Sequence, residues 1–488
     1  MKKILFSIAM LSLLTVGCNN NDETFNNDSD APYEVTPESL LTNAEKELAD
    51  QMSTPSVNLS PFRFFDQYWA QTTYNTESRF SFASRAVPDN HWNNLYRNVL
   101  GNLESAKRYI VLEVRPSTIT EADWNVQQQN KLAIIEILQV YTFQVLVDSF
   151  GDIPYTDALN PENKLPTYED DAAIYPKLIT RLDAAITQLD DSGDSFANGE
   201  FLLNGDVSKW ALFANSLKIK IGINLADVNP ALSKTTIESG YAAGVILENA
   251  DNVSFDYPSA APNYNPIYAD LEASGRNDFV AGKPFVDALL AKNDPRIGVY
   301  FNEVDGTYIG GVIGAANNNF TAFSQIGDTF RASNLPTQLM EATEVNFYLA
   351  EAAARGFSVG NTADYYYTRG IETSLDFWGI PAAAAATYLA RPDVAYATAT
   401  GDYKQKIGNQ VWYAFFNRPF EAWTSYRRLD YPALVVPSNA VAAADGEIPK
   451  RLYYPVDERT VNTTNYQTAV TAIGGLDRLK VHVFWDVN

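Results

Sequence analysis

Residues 121–149 place the tightest constraint on this chain. Leu132, Ile135, Leu138, Tyr141 and Val145 recur at spacings of three and four on one helical face, and Ile134, Ile137 and Phe143 add a second apolar face. A helix that is apolar on most sides has to be enclosed by other elements. The pattern therefore predicts one buried helix wrapped by further helices. The same periodicity supplies them. Thr36-Pro37-Glu38 reads as a cap, a first-position proline and a first-turn acid, predicting a helix to about residue 52. Others are predicted over about 89–114, over 170–190 with Ile174, Leu178, Leu182, Ala185, Ile186 and Leu189, and from an Asp206 cap to Ala226. Further helices are predicted in MEATEVNFYLAEAAARG, closed by Gly356, and at about 361–378, 401–416 and 418–429. Between about 250 and 335, Pro, Gly, Asn and aromatics crowd together as an irregular insertion. The tail after 445 reads as extended and irregular.

Paired as 89–149, 170–227 and 336–378, these helices make a mainly α, tetratricopeptide-like helix-turn-helix superhelix. Trp92-x2-Leu95-Tyr96 resembles the first-helix pattern of such a unit, although no strict 34-residue period is present. With 46% hydrophobic and 19% charged residues, the 488-residue chain has ample material for a core.

Cys18 is the only cysteine, and His91 and His482 are the only histidines. That excludes an internal disulfide, a Cys-rich zinc site and an iron–sulfur cluster, and leaves no His-rich metal site. The net charge is −23, or −25 (−23 − 2) once Lys2 and Lys3 are removed, which argues against nucleic acid as a partner. GTYIGGVIGAA at 306–316 lacks the lysine and the strand–turn–helix setting of a phosphate loop, and no D-x-D-x-D-G calcium loop occurs. No cofactor and no metal are expected.

Lys2-Lys3 precede a 13-residue apolar run, residues 4–16, too short for an ordinary membrane span and suited to a secretory signal. Leu14-Thr15-Val16-Gly17-Cys18 resembles a bacterial lipobox, with Thr15 where Leu is usual. The expected organisation is a lipoprotein signal peptide at 1–17, an acylated polar tether at 18–35 and a single domain at 36–488. Three acyl chains on Cys18 would hold the chain firmly on a membrane, where one alone is marginal.

Several blocks together resemble the SusD/RagB-like nutrient-binding outer-membrane lipoproteins, in the shorter SusD-like branch. They are the lipobox, WNNLYRNVLGNLESAKRYI (92–110), GDIPYTDAL (151–159), GDVSKWALFANSLKIKIGINLAD (205–227), KNDPRIGVYF (292–301), EVNFYLAEAAARG (344–356), FEAWTSYRRLDYP (420–432) and RLYYPVDERTVNTTNYQTAV (451–470) with VFWD (483–486). The physics of these blocks is mainly structural. Gly151 can end the long helix and Pro154 prevents its resumption. Glu351 and Arg355 can pair at i, i+4. Arg418, Glu421, Arg427 and Arg428, accompanied by Trp423 and Tyr426, read as a structural ion network.

The resemblance implies a non-catalytic outer-membrane protein, lipid-anchored and facing the exterior. It would bind an oligosaccharide or polysaccharide and deliver it to a SusC-like TonB-dependent transporter. The 28 Tyr, 26 Phe and 8 Trp supply the aromatic faces that pyranose rings stack on. Two loop regions are candidates for that face. One is 66–91, with Trp69, Tyr74, Arg79 and Phe82. The other is 255–330, with Tyr264, Tyr268, Tyr308, Phe320 and Phe323 among Asn263, Asn265, Asn317 and Asn318. His91 and His482 read as satisfied polar residues, and Tyr365–Tyr367 as helix packing. Two alternatives stand beside this reading. One is a surface lipoprotein that binds peptides or proteins. The other is an all-α secreted glycoside hydrolase, which needs two carboxylates about 5–5.5 or 6.5–9.5 Å apart.

Overall fold

The long helix of the sequence pattern is the axis of the structure, a computed structural model that describes residues 35–82 and 84–487. Cys18, the expected signal peptide and most of the expected tether lie outside the described residues. Pro37–Asn488 forms one unit.

Helix α1 (Pro37–Ser53) buries Leu41, Ala44, Leu48, Ala49 and Met52, a helical stripe of spacing three and four. It is followed by strand β1 (Trp69–Gln71) and helix α2 (Val87–Asn93). The single helix predicted over 89–114 is divided by a π-helical stretch, Asn94–Leu100, before α3 (Gly101–Leu112). That wider turn aims two amides at α1. Asn94 Nδ2 donates to Gln51 Oε1 at 3.1 Å and Asn98 Nδ2 to Glu47 Oε2 at 3.4 Å.

Helix α4 (Glu121–Phe150) starts at a Thr120 cap that accepts from Asp123 N, and from Asn130 to Phe150 it is buried except at Leu132 and Glu136. Gly151, at φ +79°, ends it. Pro154 then sits in β2 (Ile153–Pro154), paired antiparallel with β3 (Tyr168–Glu169). Helix α5 (Asp171–Gln188) follows an Asp170 cap, α6 (Val207–Asn224) an Asp206 cap, and α7 (Pro230–Ala243) an Asn229 cap with proline first.

Of the repeat pairs predicted from sequence, 336–378 is kept, Ala342–Ala354 packing on Ala363–Phe377, while the other two shift by one helix. α4 packs on α5, and α6 packs on α7, which the sequence reading left out. The α6–α7 approach is close because Gly222 faces Ile237, where a Cβ would come within 2.8 Å of Ile237 Cγ1.

The insertion is less irregular than its composition implies. It contains β4 (Val253–Phe255), β5 (Phe279–Ala281) and α8 (Lys283–Lys292). β5 pairs with β1, and β4 pairs with β6 (Thr337–Met340), so both of its strands are stitched to distant segments. Its DPR turn is an ion pair closed off from solvent, Arg296 Nη2 to Asp294 Oδ2 at 2.6 Å.

Beyond β6 run α9 (Ala342–Ala354), α10 (Ala363–Phe377), α11 (Ala382–Leu389), α12 (Tyr403–Ala414) and α13 (Pro419–Leu429). The tail, expected to be extended, folds into α14 (Val456–Val461) and α15 (Thr463–Ala472). Its Thr-rich sequence disfavours helix locally, and packing of Tyr466, Ala469 and Val470 overrides that preference.

A buried ion network locks α6, α9 and α13 together. Lys220 Nζ lies 2.6 Å from Glu421 Oε1 and 3.7 Å from Glu344 Oε1. Arg418 Nη2 lies 2.7 Å from Glu344 Oε2, and Arg428 Nε donates to Glu351 Oε2 at 3.1 Å. The last residues close the centre. Trp485 Nε1 donates to Asp148 Oδ1 at 2.8 Å, and the Arg427 guanidinium lies 3.5 Å from the Trp423 ring centre and 4.8 Å from that of Trp485. Asp148 also accepts from Tyr175 Oη and Asn224 Nδ2.

His91 is wholly buried between Gln51 Nε2 at 2.8 Å and Ser149 Oγ at 3.0 Å, and burial holds its pKa down at about 3. It is a neutral core residue at physiological pH.

Candidate functional site

Past Gln71 the chain stays alongside the β5 strand. Thr72 N donates to the Asp278 carbonyl at 2.9 Å, and Thr72 Oγ1 to the Asn277 carbonyl at 2.6 Å. Alternation along the strand turns Trp69 and Gln71 one way and Ala70 the other. Ala70, Val280 and Ile313 form a small apolar cluster of their own, with Phe320 and Phe323 packed against it.

The 309–324 loop is fixed over that cluster by its backbone. Gly311 N donates to Ala281 O at 2.7 Å, Lys283 N to Gly311 O at 2.8 Å and Ser324 N to Ile309 O at 2.8 Å. Asn318 Nδ2 donates to Gln71 O and Val312 O, while its Oδ1 accepts from Val312 N. The Gly314 carbonyl accepts from Asn75 Nδ2 and Asn439 Nδ2, both at 2.6 Å. Four stretches, 72–79, 276–278, 309–324 and 437–441, therefore meet at one loop surface.

Both sequence-predicted loop regions contribute to this surface, but not through every residue singled out. Tyr74 is 54% exposed, with the Arg85 guanidinium 5.7 Å from its ring centre. Arg276, itself on the surface and paired with Asp278 at 2.5 Å, lies within electrostatic reach of Tyr74 and Asp270. Asp270 belongs to the helical hook that carries Tyr264 and Tyr268, half-buried rings packed edge to face at 5.1 Å. Tyr74 and Arg276 thus mark one rim of the loop surface, and Asp270, two positions past Tyr268, lies near Arg276.

Trp69 is not on that rim. It is wholly buried, under Arg63 at 4.6 Å and against Phe279 at 5.2 Å, because its strand position turns it into the main core. Phe82, Asn265 and Asn318 are buried too. Asn265 caps the hook by accepting from Ile267 N, and Asn318 braces the 309–324 loop. Arg79 is half-buried, its Nε donating to the Asn439 carbonyl at 2.8 Å, so it ties loops together. Phe320 is half-buried on the small cluster. Tyr308 is half-buried away from the rim, near Gly298, with its phenol pKa raised by burial and by Glu303. Asn263 and Asn317 are exposed. The sequence reading missed Arg85, Arg276 and the exposed Val312. Nothing local marks them, since their placement depends on the β1–β5 pairing.

A cavity of about 710 Å³ lies elsewhere, between α3, α4, α5 and the GDIPY loop. Its two rings, Phe143 and Tyr155, are both covered by the Arg181 guanidinium at 5.4 and 5.5 Å. Arg181 pairs with Glu136 at 2.5 Å and Lys107 with Glu136 at 3.2 Å. It offers no free ring face for a sugar. Nor do the clustered carboxylates Glu341, Glu344 and Glu421 serve a hydrolase. They are buried within the ion network, where no polysaccharide reaches them.

Asp152, Asp170 and Asp171 bring carboxylate oxygens within 4.8 Å of one another beside the buried Arg451. Asp171 accepts from Phe484 N at 2.9 Å, and Asp152 accepts from Asp171 N at 2.9 Å. Burial, with Asp152 and Asp170 adding repulsion, pushes the Asp171 carboxyl up from 3.8 to about 7. The native state therefore holds a proton that the unfolded chain releases near 3.8, and stability falls as pH rises from 3.8 to about 7. Asp171→Asn is expected to leave stability nearly unchanged at pH 4 and to raise it by on the order of 1–3 kcal/mol at pH 8. Urea midpoints at the two pH values check this, and equal shifts at both would remove titration as the cause.

Comparisons with known proteins agree with this architecture. A family model described as SusD-like, starch-binding associating with outer membrane, matches residues 28–455. A solved structure described as a chitin-binding protein is 26% identical, with a TM-score of 0.79 over 93% of this chain and 100% of its own. A SusD homolog from Bacteroides uniformis is also 26% identical, with a TM-score of 0.75 over 92% of this chain and 99% of its own. A chitin-binding SusD homolog from Flavobacterium johnsoniae shares the fold at 24% identity, with a TM-score of 0.75 over 92% and 99% of the two chains. No curated protein matches the chain.

Proposed function

The chain belongs to the SusD-like family, starch-binding and associating with the outer membrane, and from that premise we propose that it is a non-catalytic surface lipoprotein that captures an oligosaccharide and passes it to a SusC-like TonB-dependent transporter. In this reading Cys18 carries the acyl anchor, and the body faces the cell exterior. The carrying observation is the exposed Tyr74 near Arg276, with the edge-to-face pair Tyr264–Tyr268 in the segment of Asp270, which also lies near Arg276. Aromatic faces take the C–H surfaces of pyranose rings, while the neighbouring charged and amide groups take hydroxyls. The chitin-binding description of a 26%-identical structure makes chitin oligosaccharides the first ligand to test. Only two or three rings contribute, so binding is modest, which suits capture followed by handover.

The test is calorimetry with chitin and starch oligosaccharides on the parent and on Tyr74→Ala/Tyr268→Ala. Heat from one series in the parent, at least roughly tenfold weaker in the variant, is the expected result. Release of new reducing ends would overturn the non-catalytic reading. Unchanged affinity in the variant would move the site off this rim.

A further inference from the structure

Helix α3 and the turn after it leave an apolar corner uncovered. Tyr109, Val111, Leu112 and Val114 are 45%, 69%, 72% and 88% exposed. Trp124, in the first turn of α4, is half-buried. Single exposed apolar residues are ordinary on a protein surface, but four within six positions are not.

This corner is also where the chain enters the body. Lys131 Nζ lies 3.0 Å from Glu38 Oε1, in the first turn of α1, and 3.1 Å from Glu113 Oε2, which sits between Leu112 and Val114. Gln128 Nε2 adds a 2.7 Å bond to Glu113. One ammonium group thus holds the start of the body against the apolar turn. Cys18 is only 19 residues before Pro37, a length of chain that can reach at most about 68 Å.

We propose that this corner is a membrane foot, with Val111, Leu112 and Val114 dipping into the headgroup boundary of a phospholipid surface. Tyr109 and Trp124 take the interfacial depth that such rings favour. The foot rests on the lipid-anchor reading above for the nearness of the membrane. Arg108 and Arg115 flank it, but Glu121, Asp123 and Glu113 offset them. Insertion is therefore driven by apolar burial and is insensitive to salt.

Because Cys18 is the only cysteine, a cysteine introduced at the foot can be labelled uniquely once residue 18 is replaced. The test uses residues 19–488 with an N-terminal histidine tag in place of Cys18. The tag holds the chain on phosphatidylethanolamine/phosphatidylglycerol vesicles containing nickel-chelating lipid. Leu112→Cys is labelled with an environment-sensitive dye, and Val435→Cys, exposed elsewhere, serves as the reference. The expected result is a blue shift and protection from aqueous iodide at residue 112 only, unchanged in 0.5 M salt. Val111→Ser/Val114→Ser added to the labelled chain should abolish both signals.

A label at 112 that stays in water overturns the foot. So does shielding without vesicles that grows with protein concentration, which would assign the corner to a second copy. Shielding that requires an added transporter barrel overturns it as well. Intact mass of the full chain reads acylation at Cys18 separately. Its absence would defeat the lipid anchor, while the tagged experiment would still decide the foot.

Discussion

Arg418→Ala is expected to lose about 3–5 kcal/mol of folding stability, the cost of leaving buried charge without its partner. Arg418 lies 2.7 Å from Glu344, 3.5 Å from Glu421 and 3.9 Å from Glu341, and its Nη2 also donates to the Leu339 carbonyl at 3.0 Å. With Lys220 it makes two cations against three carboxylates. The imbalance is already visible in the parent, where burial pushes Glu341 up to about 7 and raises Glu421, while Arg418 and Lys220 hold Glu344 below its ordinary value. Without Arg418, one ammonium faces all three acids.

The loss has a defined pH signature. Carboxyls stripped of a cation hold their protons to higher pH in the folded state, so the penalty is present above the unfolded carboxylate range and disappears below it. Urea midpoints at pH 4 and pH 8 should therefore differ more between parent and variant at pH 8. A loss under about 1 kcal/mol at pH 8, the size of an exposed pair, would show that the network is not coupled as its distances imply.

Gly282→Ala is expected to destabilise by about 3 kcal/mol, at the upper end for forcing an atom into packed space, and to weaken glycan binding along with it. The backbone conformation is not the obstacle, since φ is −76°. Space is. A Cβ at 282 would run into the Gln67 carbonyl oxygen and lie 3.1 Å from the Tyr68 carbonyl carbon. Gly282 N donates to Tyr68 O at 2.8 Å, and Gly282 bridges to Gly311. The substitution therefore forces apart the three stretches on which the loop surface is built. Helical circular dichroism should be retained while affinity for whichever oligosaccharide the parent binds in calorimetry falls. Full affinity with parental stability would mean that the surface tolerates displacement at its base.

Much of the helical frame was legible because each helix carries its own evidence. α4 needed only its two apolar faces and the Gly151 end. α15 was misread because Thr463, Thr464, Thr468 and Thr471 favour extended chain, and its stability comes from contacts such as Tyr466 on Tyr454 at 6.0 Å. The loop surface was legible in part. Tyr74 stands in the polar run TTYNTES, and the structure leaves it exposed. Trp69 stands five positions earlier in FRFFDQYWAQ, where apolar residues occupy both faces, so residue type alone could not separate core from surface. What brings Tyr74 beside Arg276 is a strand pairing of residue 69 with residue 281, and no local pattern encodes that partnership.

Trp485 has one more consequence. It reaches back 337 positions to satisfy Asp148 in the last turn of the long helix α4. That carboxylate, on which the Arg427 charge also acts, cannot acquire its full set of donors until residue 485 has been translated. A nascent chain therefore carries an open centre until Trp485 is made, and a product that ends before it lacks the indole that closes that centre.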